Sequence, residues 1–396
     1  MRVGLLGHLL SFRPGYRQAG VSRYIEALVR TLPHVDPTLQ LVLYTSADTW
    51  RRAPQNFSDH VTARVTPLPT HTPPVRIVWE QAVAPLQTRR DHVDILHAPV
   101  NVLPLLSPQP SVVTVHDLAF LIEPATYPAI KRSYLTIFTA LSVHRATRVI
   151  AVSEQTRQAL LARFRLHPSR VVVVPNGVDS RFQPVRDPVA LAALRERFAL
   201  PEHFFLYVGT LQPRKNLVRL IKAFAQIATK LGWPLVLVGA RGWQDSEIFQ
   251  HLQALGVHSA VRAVGYVPAE ELPLWYSAAT VFVYPSIYEG FGLPVLEAMA
   301  CGTPVLTSAG TAMAEVAGDA AYLVDPYDIE AIAQGLWQLA TAPSLRADLA
   351  ARGIVRAAQF TWERTARETF GVYQAALCAW NKCVRQRSGE ERHACR

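Results

Sequence analysis

Residues 281–297 read VFVYPSIYEGFGLPVLE, and the order of elements in this stretch indicates the class of fold. The apolar run 281–284 predicts a buried strand, and two glycines mark the turn that follows it. A helix is predicted to begin at LPVLE, because Pro294 suits the first helical turn. Gly302 suits the position just past the end of that helix. A strand, a turn and a helix in this order form one βα unit of a parallel sheet.

The same unit recurs along the whole chain. Short apolar runs such as 171–174 (VVVV) alternate with longer amphipathic segments, which is typical of strands covered by helices on both faces. The sequence therefore predicts an α/β protein with two doubly wound, Rossmann-like domains facing a cleft. Strands are predicted at 3–6, 41–44, 94–97, 111–115, 148–152 and 171–174, and again at 204–208, 235–238, 261–264, 281–284, 304–307 and 321–324.

The domain boundaries follow from proline, charge and helix signals. A proline-containing, mixed-charge stretch at 176–200 predicts a hinge, which divides the chain into domains at 1–185 and 186–360. A long helix is predicted over 361–380, with Thr361 as its N-cap. The tail 381–396 is polar and basic and is predicted to be disordered.

Composition limits the class of protein. The 396 residues are 50% apolar and 18% charged, which provides for large cores and argues against wholesale disorder. No run reaches the roughly 18 apolar residues of a membrane-spanning helix, and no secretory signal is recognisable, so we expect a cytoplasmic protein. The four cysteines fit no zinc or thioredoxin spacing, and we expect reduced thiols at 301, 378, 383 and 395.

The net charge of the chain does not identify its binding partner. Forty basic and 30 acidic side chains give a formal charge of +10. Such a surplus attracts nucleic acid, an anionic membrane face or a phosphorylated substrate, and it also serves solubility alone. Charge composition does not choose among these.

The glycine turn at 289–297 has the chemistry of a phosphate and sugar site. Gly290 and Gly292 let the backbone approach a ligand, and free amides near Gly292 and Leu293 suit a phosphate oxygen. Glu297, one turn into the helix, is placed to accept hydrogen bonds from two neighbouring ribose hydroxyls. Glu289 precedes the turn and would face the part of the ligand beyond the phosphates. The alternative is that Glu297 only complements the helix dipole and Glu289 is solvated.

A second strand–loop–helix unit, residues 207–217, reads YVGTLQPRKNL. Gly209 ends the predicted strand, and Asn216 is a candidate N-cap for the next helix. Arg214 and Lys215 stand just before that helix, where two cations suit a diphosphate. The alternative is that this adjacent Arg–Lys pair is an ordinary pair of solvated surface charges.

Three motifs together resemble glycosyltransferase family 4. They are EGFGLPVLE at 289–297, YVGTLQPRKNL at 207–217 and VPNGVD at 174–179. The resemblance covers about residues 1–380 and implies the GT-B fold, in which the C-terminal domain binds a nucleotide sugar. It also implies that the helix beginning at Thr361-Trp362-Glu363 crosses back to the first domain.

The resemblance also implies roles for individual residues. Arg214 and Lys215 would bind the donor diphosphate, Glu297 the ribose hydroxyls, and Glu289 the donor sugar. The residues that would line the rest of the donor site are Gly209, Tyr266, Val267, Gly290, Phe291, Gly292 and Leu293, with Tyr266 and Val267 beside the nucleobase.

The first half supplies a histidine and a glycine to the predicted site. His116 stands at the carboxyl end of the predicted strand 111–115, and in the resembling family this histidine contacts the donor sugar. A histidine that only caps a strand is the alternative, and His97 is interpreted in that way. Relatives usually carry two glycines before the first helix, whereas this chain has Ala19 and then Gly20, which keeps the position nearest the helix.

The implied reaction is a retaining transfer of a hexose to a hydroxyl of a glycan or lipid-linked acceptor. No carboxylate in the first half is an obvious nucleophile, and the resemblance instead implies that the leaving phosphate helps to deprotonate the acceptor while Arg214 and Lys215 stabilise its developing charge. No DxD-like cluster is present, so neither a metal nor another cofactor is expected. The motifs most resemble mannosyltransferases that use GDP-mannose, with rhamnose, glucose and galactose donors remaining open.

Other functions remain as alternatives. A glycoside hydrolase would use Glu289 and Glu297 as its carboxylate pair, but would leave Arg214 and Lys215 unused. An epimerase or an inactive nucleotide-sugar-binding protein fits the same fold. No aromatic–basic pattern supports binding of nucleic acid. Basic stretches such as Arg89-Arg90 and Lys131-Arg132 and the tail add the hypothesis of peripheral contact with an anionic membrane.

Overall fold

The computed structural model describes residues 1–13, 20–54, 61–124, 127–242 and 246–388. By their contacts they form two units, Met1–Gly177 with Trp362–Arg396, and Val178–Thr361. The division after Gly177 falls inside the hinge expected at 176–200 and lies before the domain boundary expected at 185. Pro188 begins a helix of the second unit rather than a linker.

The first unit contains one sheet of seven parallel strands in the order β3-β2-β1-β4-β5-β6-β7. Its strands are β1 (Arg2–Leu6), β2 (Gln40–Ser46), β3 (Val61–Thr66), β4 (Ile95–Ala98), β5 (Ser111–Val115), β6 (Arg148–Ala151) and β7 (Val171–Val173). Its helices are α1 (Val21–Val35), α2 (Ala47–Arg51), α3 (Pro73–Val78), α4 (Ala84–Arg90), α5 (Ala119–Ile122), α6 (Ala129–Arg145) and α7 (Glu154–Phe164), with a π-helical turn at Trp79–Val83 and a 3-10 turn at Pro168–Arg170.

The second unit contains six parallel strands in the order β10-β9-β8-β11-β12-β13. These are β8 (Phe205–Val208), β9 (Leu235–Val238), β10 (Val261–Gly265), β11 (Val281–Tyr284), β12 (Val305–Ser308) and β13 (Tyr322–Val324). The helices are α8 (Pro188–Arg197), α9 (Leu217–Ala225), α10 (Ala228–Leu231), α11 (Ser246–Ala254), α12 (Leu272–Ala278), α13 (Leu293–Ala300), α14 (Ala312–Ala317), α15 (Ile329–Thr341) and α16 (Pro343–Ala357), with a 3-10 turn at Pro213–Lys215. The helix α17 (Trp362–Ser388) follows this unit in sequence but packs along α1 in the first.

Strand order reverses once in each sheet, between β1 and β4 and between β8 and β11. In open α/β sheets, ligands bind beyond the carboxyl ends of the strands at such a reversal. Each of the twelve strands predicted from sequence is present, with ends displaced by at most two residues. The fold class expected from the sequence, two Rossmann-like sheets with a returning C-terminal helix, is confirmed.

Three local features differ from the expectation. The strand β3 was not predicted because it is an edge strand whose residues alternate in exposure, without an apolar run. The helix α17 continues past 380 to Ser388, because 381–388 contain no glycine or proline. Residues 389–396, the rest of the expected disordered tail, lie outside the described residues. Asn216 precedes α9, but its side chain does not cap that helix.

Other local expectations are met. Pro294 lies in the first turn of α13, and Gly302 follows its end with a φ of 73°. Cys301, Cys378 and Cys383 are free thiols, and Cys395 lies outside the described residues. Among the helices described, none is long and apolar enough to cross a bilayer.

Candidate functional site

The strand reversal of the second unit brings two distant loops together. Arg214 and Lys215 lie in the 3-10 turn that follows β8, and Glu289 lies in the loop that follows β11. Because β8 and β11 are neighbours in the sheet, their carboxyl ends open onto the same edge. The amide of Ile287 donates to the Arg214 carbonyl at 3.0 Å, which ties the two loops directly.

Glu289 forms an ion pair with each of the two cations. Its Oε2 lies 2.8 Å from Nη1 of Arg214, and its Oε1 lies 2.5 Å from Nζ of Lys215. All three side chains are largely buried, with exposed fractions of 14%, 11% and 12% for Arg214, Lys215 and Glu289. These three residues, predicted from sequence to belong to one site, lie in contact with one another, but no sequence pattern indicated that the carboxylate bridges both cations.

Two hydroxyl groups complete this cluster. The Tyr284 hydroxyl accepts from Lys215 at 2.6 Å and lies 3.2 Å from Glu289 Oε1, while Ser286 Oγ lies 2.8 Å from the same oxygen. Sequence reasoning missed both residues. The available signal was a tyrosine and a serine at the end of an apolar strand, where side chains turn from the core toward the sheet edge.

The charge state of Glu289 is set by its partners. Burial works to raise the pKa of this carboxyl, but Arg214 and Lys215 outweigh burial and hold the pKa below its usual range. A glycosidase needs a carboxylic acid with a raised pKa to protonate its leaving group. Glu289 is therefore unsuited to that role, which weakens the hydrolase alternative.

The start of α13 provides backbone donors. Gly292 precedes the helix with a φ of 110°, and a side chain there would place its Cβ 2.7 Å from Cγ of Met313. In the described part of the chain, the amides of Phe291, Gly292 and Leu293 donate no hydrogen bond. Such amides at a helix start suit an anionic oxygen. Gly290 stands immediately before them.

Glu297 is held inside the second unit. It is 4% exposed, and the Tyr276 hydroxyl donates to its Oε2 at 3.0 Å. A buried carboxylate anchored at one oxygen keeps a fixed orientation for hydrogen bonds at the other. The predicted site residue is thus positioned by α12, a contact that sequence patterns did not indicate.

The remaining predicted donor residues lie along the same carboxyl edge. Gly209 directly follows β8, where its amide donates to the Val238 carbonyl at 2.9 Å. Tyr266 and Val267 directly follow β10, and Tyr266 is 43% exposed while Val267 is buried. Since β10 is two strands away from β8, Tyr266 and the Arg214 loop occupy different parts of that edge.

Asn216 ties the cation loop to its surroundings. Its side-chain amide donates to the carbonyls of Pro285, at 2.9 Å, and Pro326, at 2.6 Å. Its φ of 62° is left-handed, a conformation that asparagine tolerates better than most residues. The expected helix cap is therefore a clamp that joins the loops after β8, β11 and β13.

His116 belongs to the first unit, where it follows β5. Its Nε2 lies 2.8 Å from the carbonyl oxygen of Pro99, which only accepts, so Nε2 carries the proton. Burial lowers the pKa of His116, against the hydrogen bond to Pro99 and the charge of Asp117, which both favour the protonated form. The ring of Tyr24 meets it edge-on, with 4.7 Å between ring centroids. A neutral His116 therefore presents Nδ1 as an acceptor.

Gly20 and His97 also lie in the first unit. Gly20 precedes α1 with a φ of 43°, and a Cβ added there would meet no atom of the described residues within 4 Å. Ala19 lies outside the described residues.

His97 is fully buried and hydrogen-bonded through both ring nitrogens, in agreement with its interpretation as a structural residue. Within the described ranges no group of three or more His, Cys, Asp or Glu side chains could hold a metal ion.

Comparisons with known proteins identify relatives over the whole chain. The family described as Glycosyltransferase Family 4 matches residues 19–182, and that described as Glycosyl transferases group 1 matches residues 194–356. The chain is 33% identical over 370 residues to the O-antigen chain mannosyltransferase B of Escherichia coli, covering 91% of this chain and 97% of the relative.

Solved structures share the fold. Sucrose-phosphate synthase from Thermosynechococcus elongatus superimposes with a TM-score of 0.76 at 25% identity, covering 96% of this chain and 100% of the other. Anabaena HepE in complex with UDP and glucose gives a TM-score of 0.73 at 20% identity, with 95% and 99% of the two chains covered.

Proposed function

The chain belongs to glycosyltransferase family 4, and from this we propose that it is a retaining mannosyltransferase that uses GDP-mannose. The acceptor in this proposal is a hydroxyl of a glycan or of a lipid-linked glycan. Glycosyl transfer itself follows from the family. The observation that carries the proposal of a nucleoside diphosphate donor is the pair of buried cations, Arg214 and Lys215, that contact Glu289 at the strand reversal.

The two cations suit a nucleoside diphosphate. A planar guanidinium and a mobile ammonium together neutralise two phosphate groups, and unbonded amides at Gly292 and Leu293 add neutral donors. In the resting site Glu289 supplies the counter-charge. We propose that the diphosphate takes over Arg214 and Lys215, and that Glu289 turns to the hydroxyls of the donor sugar.

The rest of the donor is distributed along the same sheet edge. We assign the ribose hydroxyls to Glu297, whose carboxylate is fixed by Tyr276, and the nucleobase to the segment around Tyr266. A mannose donor is supported by the relative that matches this chain over nearly its full length and is named a mannosyltransferase.

In the proposed reaction the acceptor hydroxyl attacks the anomeric carbon on the face from which the diphosphate leaves. The acceptor oxygen forms the new glycosidic bond, the bond between the anomeric carbon and the phosphate oxygen breaks, and the acceptor proton passes to the leaving phosphate. Arg214 and Lys215 stabilise the charge that develops on that phosphate. Neutral His116 accepts a hydrogen bond from the sugar through Nδ1.

The proposal is tested by thermal unfolding with GDP, UDP, ADP and dTDP, each with and without its common sugar. A ligand at 100 times its Kd adds about 2.7 kcal/mol of stability. We expect GDP and GDP-mannose to raise the melting temperature, equally with and without EDTA because no metal is required. Incubation of GDP-mannose with a mannose-terminated glycan should then yield a product with retained configuration by NMR.

Two variants test whether the GDP-dependent thermal shift arises at the proposed donor site. Arg214→Ala and Glu297→Ala should abolish the GDP-dependent shift, whereas Arg364→Ala, which removes an exposed guanidinium of α17, should leave it intact. A thermal shift with UDP alone would mean that the proposed donor, GDP-mannose, has to be replaced by a UDP-sugar. An isomerised nucleotide sugar without transfer would favour an epimerase and overturn the proposed reaction.

A further inference from the structure

Tyr24 lies in the first turn of α1, and its side chain is buried in the first unit. Its backbone amide donates to the Gly20 carbonyl at 3.0 Å, so its position is tied to the start of the helix. A buried tyrosine has a large apolar ring to pack and one hydroxyl that needs a partner. Both parts of this side chain meet residues at the carboxyl end of β5.

The hydroxyl of Tyr24 is anchored on β5. It lies 3.0 Å from the hydroxyl oxygen of Thr114, which also lies 2.8 Å from Nε2 of His97. Thr114 and His97 are both completely buried. The side chain of Tyr24 therefore cannot swing away without leaving a buried hydroxyl unbonded, which is costly.

The ring of Tyr24 packs on His116. Thr114 and His116 are two residues apart at the end of β5, and residues with that spacing point to the same face of a strand. A side chain whose tip reaches Thr114 can therefore lay its ring against His116. The two rings lie at 83° to each other with 4.7 Å between their centroids, an edge-to-face arrangement that is both favourable and directional.

This packing fixes what the hydrogen bond of His116 leaves variable. Nε2 of His116 lies 2.8 Å from the Pro99 carbonyl oxygen, which holds one atom of the imidazole but lets the ring tilt about that contact. The ring of Tyr24 limits the tilt, and thereby sets the direction in which Nδ1 points. Nδ1 is the atom that accepts a hydrogen bond from the sugar in the proposed reaction.

We propose that Tyr24 is a positioning residue for His116, and that it holds the imidazole so that Nδ1 faces the donor sugar. Tyr24 touches no reacting atom and acts only through His116. The inference rests on the proposed function for the role of His116 in transfer. Direction matters because a group displaced by about 1 Å from its productive position can slow a reaction on the order of 10²-fold.

The returning helix α17 supports the same arrangement. The ring of Trp362, at the start of α17, meets the ring of Tyr24 edge-on with 6.2 Å between centroids. The Tyr373 hydroxyl hydrogen-bonds Nδ1 of His97, whose other nitrogen pairs with Thr114. Residues from the far end of the chain therefore hold Tyr24 and its anchor in place.

The test compares Tyr24→Leu, which removes the ring, with Tyr24→Phe, which removes only the hydroxyl. In transfer from GDP-mannose we expect kcat to fall about tenfold in Tyr24→Leu and about threefold in Tyr24→Phe. The KM for GDP-mannose and the thermal shift with GDP should not change, because the nucleotide does not contact His116 in the proposed complex.

The control is Tyr44→Leu. Tyr44 of β2 is also completely buried in the first unit, and its hydroxyl donates to Asp91 at 3.0 Å. This variant should lower the melting temperature about as much as Tyr24→Leu and leave kcat unchanged. An equal fall of kcat in the two leucine variants would show a general effect of destabilisation and overturn the proposal.

A double-mutant cycle shows whether the effect passes through His116. In a His116→Ala background, Tyr24→Leu and Tyr24→Phe should lower kcat no further, because no imidazole is left to position. Equal losses with and without His116 would overturn the proposal, as would full activity of both Tyr24 variants. Tyr24→Phe carries the same comparison if Tyr24→Leu fails to fold.

NMR of protein labelled with ¹⁵N at histidine gives a readout without donor or acceptor. The wild type should show a single His116 tautomer with its proton on Nε2, assigned by its disappearance in His116→Ala, and Tyr24→Leu should shift the Nδ1 signal. An unchanged Nδ1 signal would overturn the positioning role and leave the donor site untouched. A shifted signal in a protein that transfers no sugar would support the positioning of the ring while overturning the proposed function.

Discussion

The Tyr373 hydroxyl of α17 hydrogen-bonds Nδ1 of His97 at 2.7 Å, although 276 residues separate them in the chain. Nε2 of His97 pairs with the hydroxyl of Thr114 at 2.8 Å, and that hydroxyl also lies 3.0 Å from the hydroxyl of Tyr24. All four side chains are buried. A chain of hydrogen bonds therefore connects the returning helix through the sheet to the ring that packs on His116.

Removal of the Tyr373 hydroxyl is expected to destabilise the first unit. Tyr373→Phe leaves Nδ1 of His97 without its partner in a dry core, at a cost of about 2 kcal/mol. The melting temperature should fall by about 5 °C. Tyr327→Phe is the matched control, because Tyr327 is 59% exposed. Equal melting temperatures for the two variants would contradict the structural role of this bond.

Stability should fall as pH drops from 7 to 5. Burial lowers the pKa of both His8 and His97 to about 3, so the folded protein keeps them neutral while the unfolded chain takes up protons below its ordinary pKa. Each histidine then removes about 2 kcal/mol of stability at pH 5 relative to pH 7. Other buried groups titrate in the same range: burial also lowers the pKa of His116, which adds to the loss, and raises the pKa of Glu80 to about 7, which offsets part of it. Urea unfolding of the wild type and of His97→Gln at the two pH values isolates the contribution of His97, and the variant should lose less stability. An equal pH dependence in the two proteins would show that His97 is accessible to protons.

Neutralising Glu289 should separate binding from catalysis. Glu289→Gln frees Arg214 and Lys215 from their internal counter-charge, so GDP should bind several-fold more tightly by calorimetry. Transfer should nevertheless slow on the order of 10²-fold, by analogy with the loss of a donor in an oxyanion hole, because the carboxylate no longer orients the sugar. Glu196→Gln, on the exposed surface of α8, serves as the control. Weaker GDP binding in Glu289→Gln would contradict the exchange of carboxylate for diphosphate.

Gly292 should tolerate no side chain. Gly292→Ala combines a left-handed φ of 110° with a Cβ only 2.7 Å from Met313 Cγ, and the loop must move to relieve the contact. We expect loss of the GDP-dependent thermal shift and about 1–3 kcal/mol lower stability. Gly371→Ala, in the middle of α17 with open space around its Cα, should be neutral or slightly stabilising. Normal GDP binding by Gly292→Ala would show that the helix start does not hold the phosphates.

Sequence patterns predicted the sheets well because the strands are buried on both faces. In β9 all four residues, LVLV, are buried, and such a strand is visible as a continuous apolar run. The strand β3 lacks that signal because it lies at the sheet edge, where half of its residues meet solvent. The end of α17 was misplaced for a different reason, since polar residues beyond 380 lack an apolar stripe but favour a helix.

The proximity of Arg214, Lys215 and Glu289 was predictable from sequence, but their hydrogen-bond network was not. Strand ends and glycine turns located Arg214, Lys215 and Glu289 on one sheet edge. Their pairing, and the participation of Tyr284, Ser286 and Tyr276, depend on side-chain directions that no spacing encodes. Asn216 illustrates the limit, because its place before a helix suggested a cap whereas its amide bonds two distant carbonyls.

The first unit is built from two separate stretches of the chain, and this has a consequence during synthesis. The helix α17 leaves the ribosome only after residues 178–361, which takes about 20 s at roughly 10 residues per second. For that period α1 and the core around Leu28 and Val29 lack the cover that Ala366, Val372 and Tyr373 later provide. The nascent chain therefore carries an uncovered apolar surface while the second unit is still being synthesised. A chaperone that binds this surface would act on the early half of the protein, and release would come with the last helix.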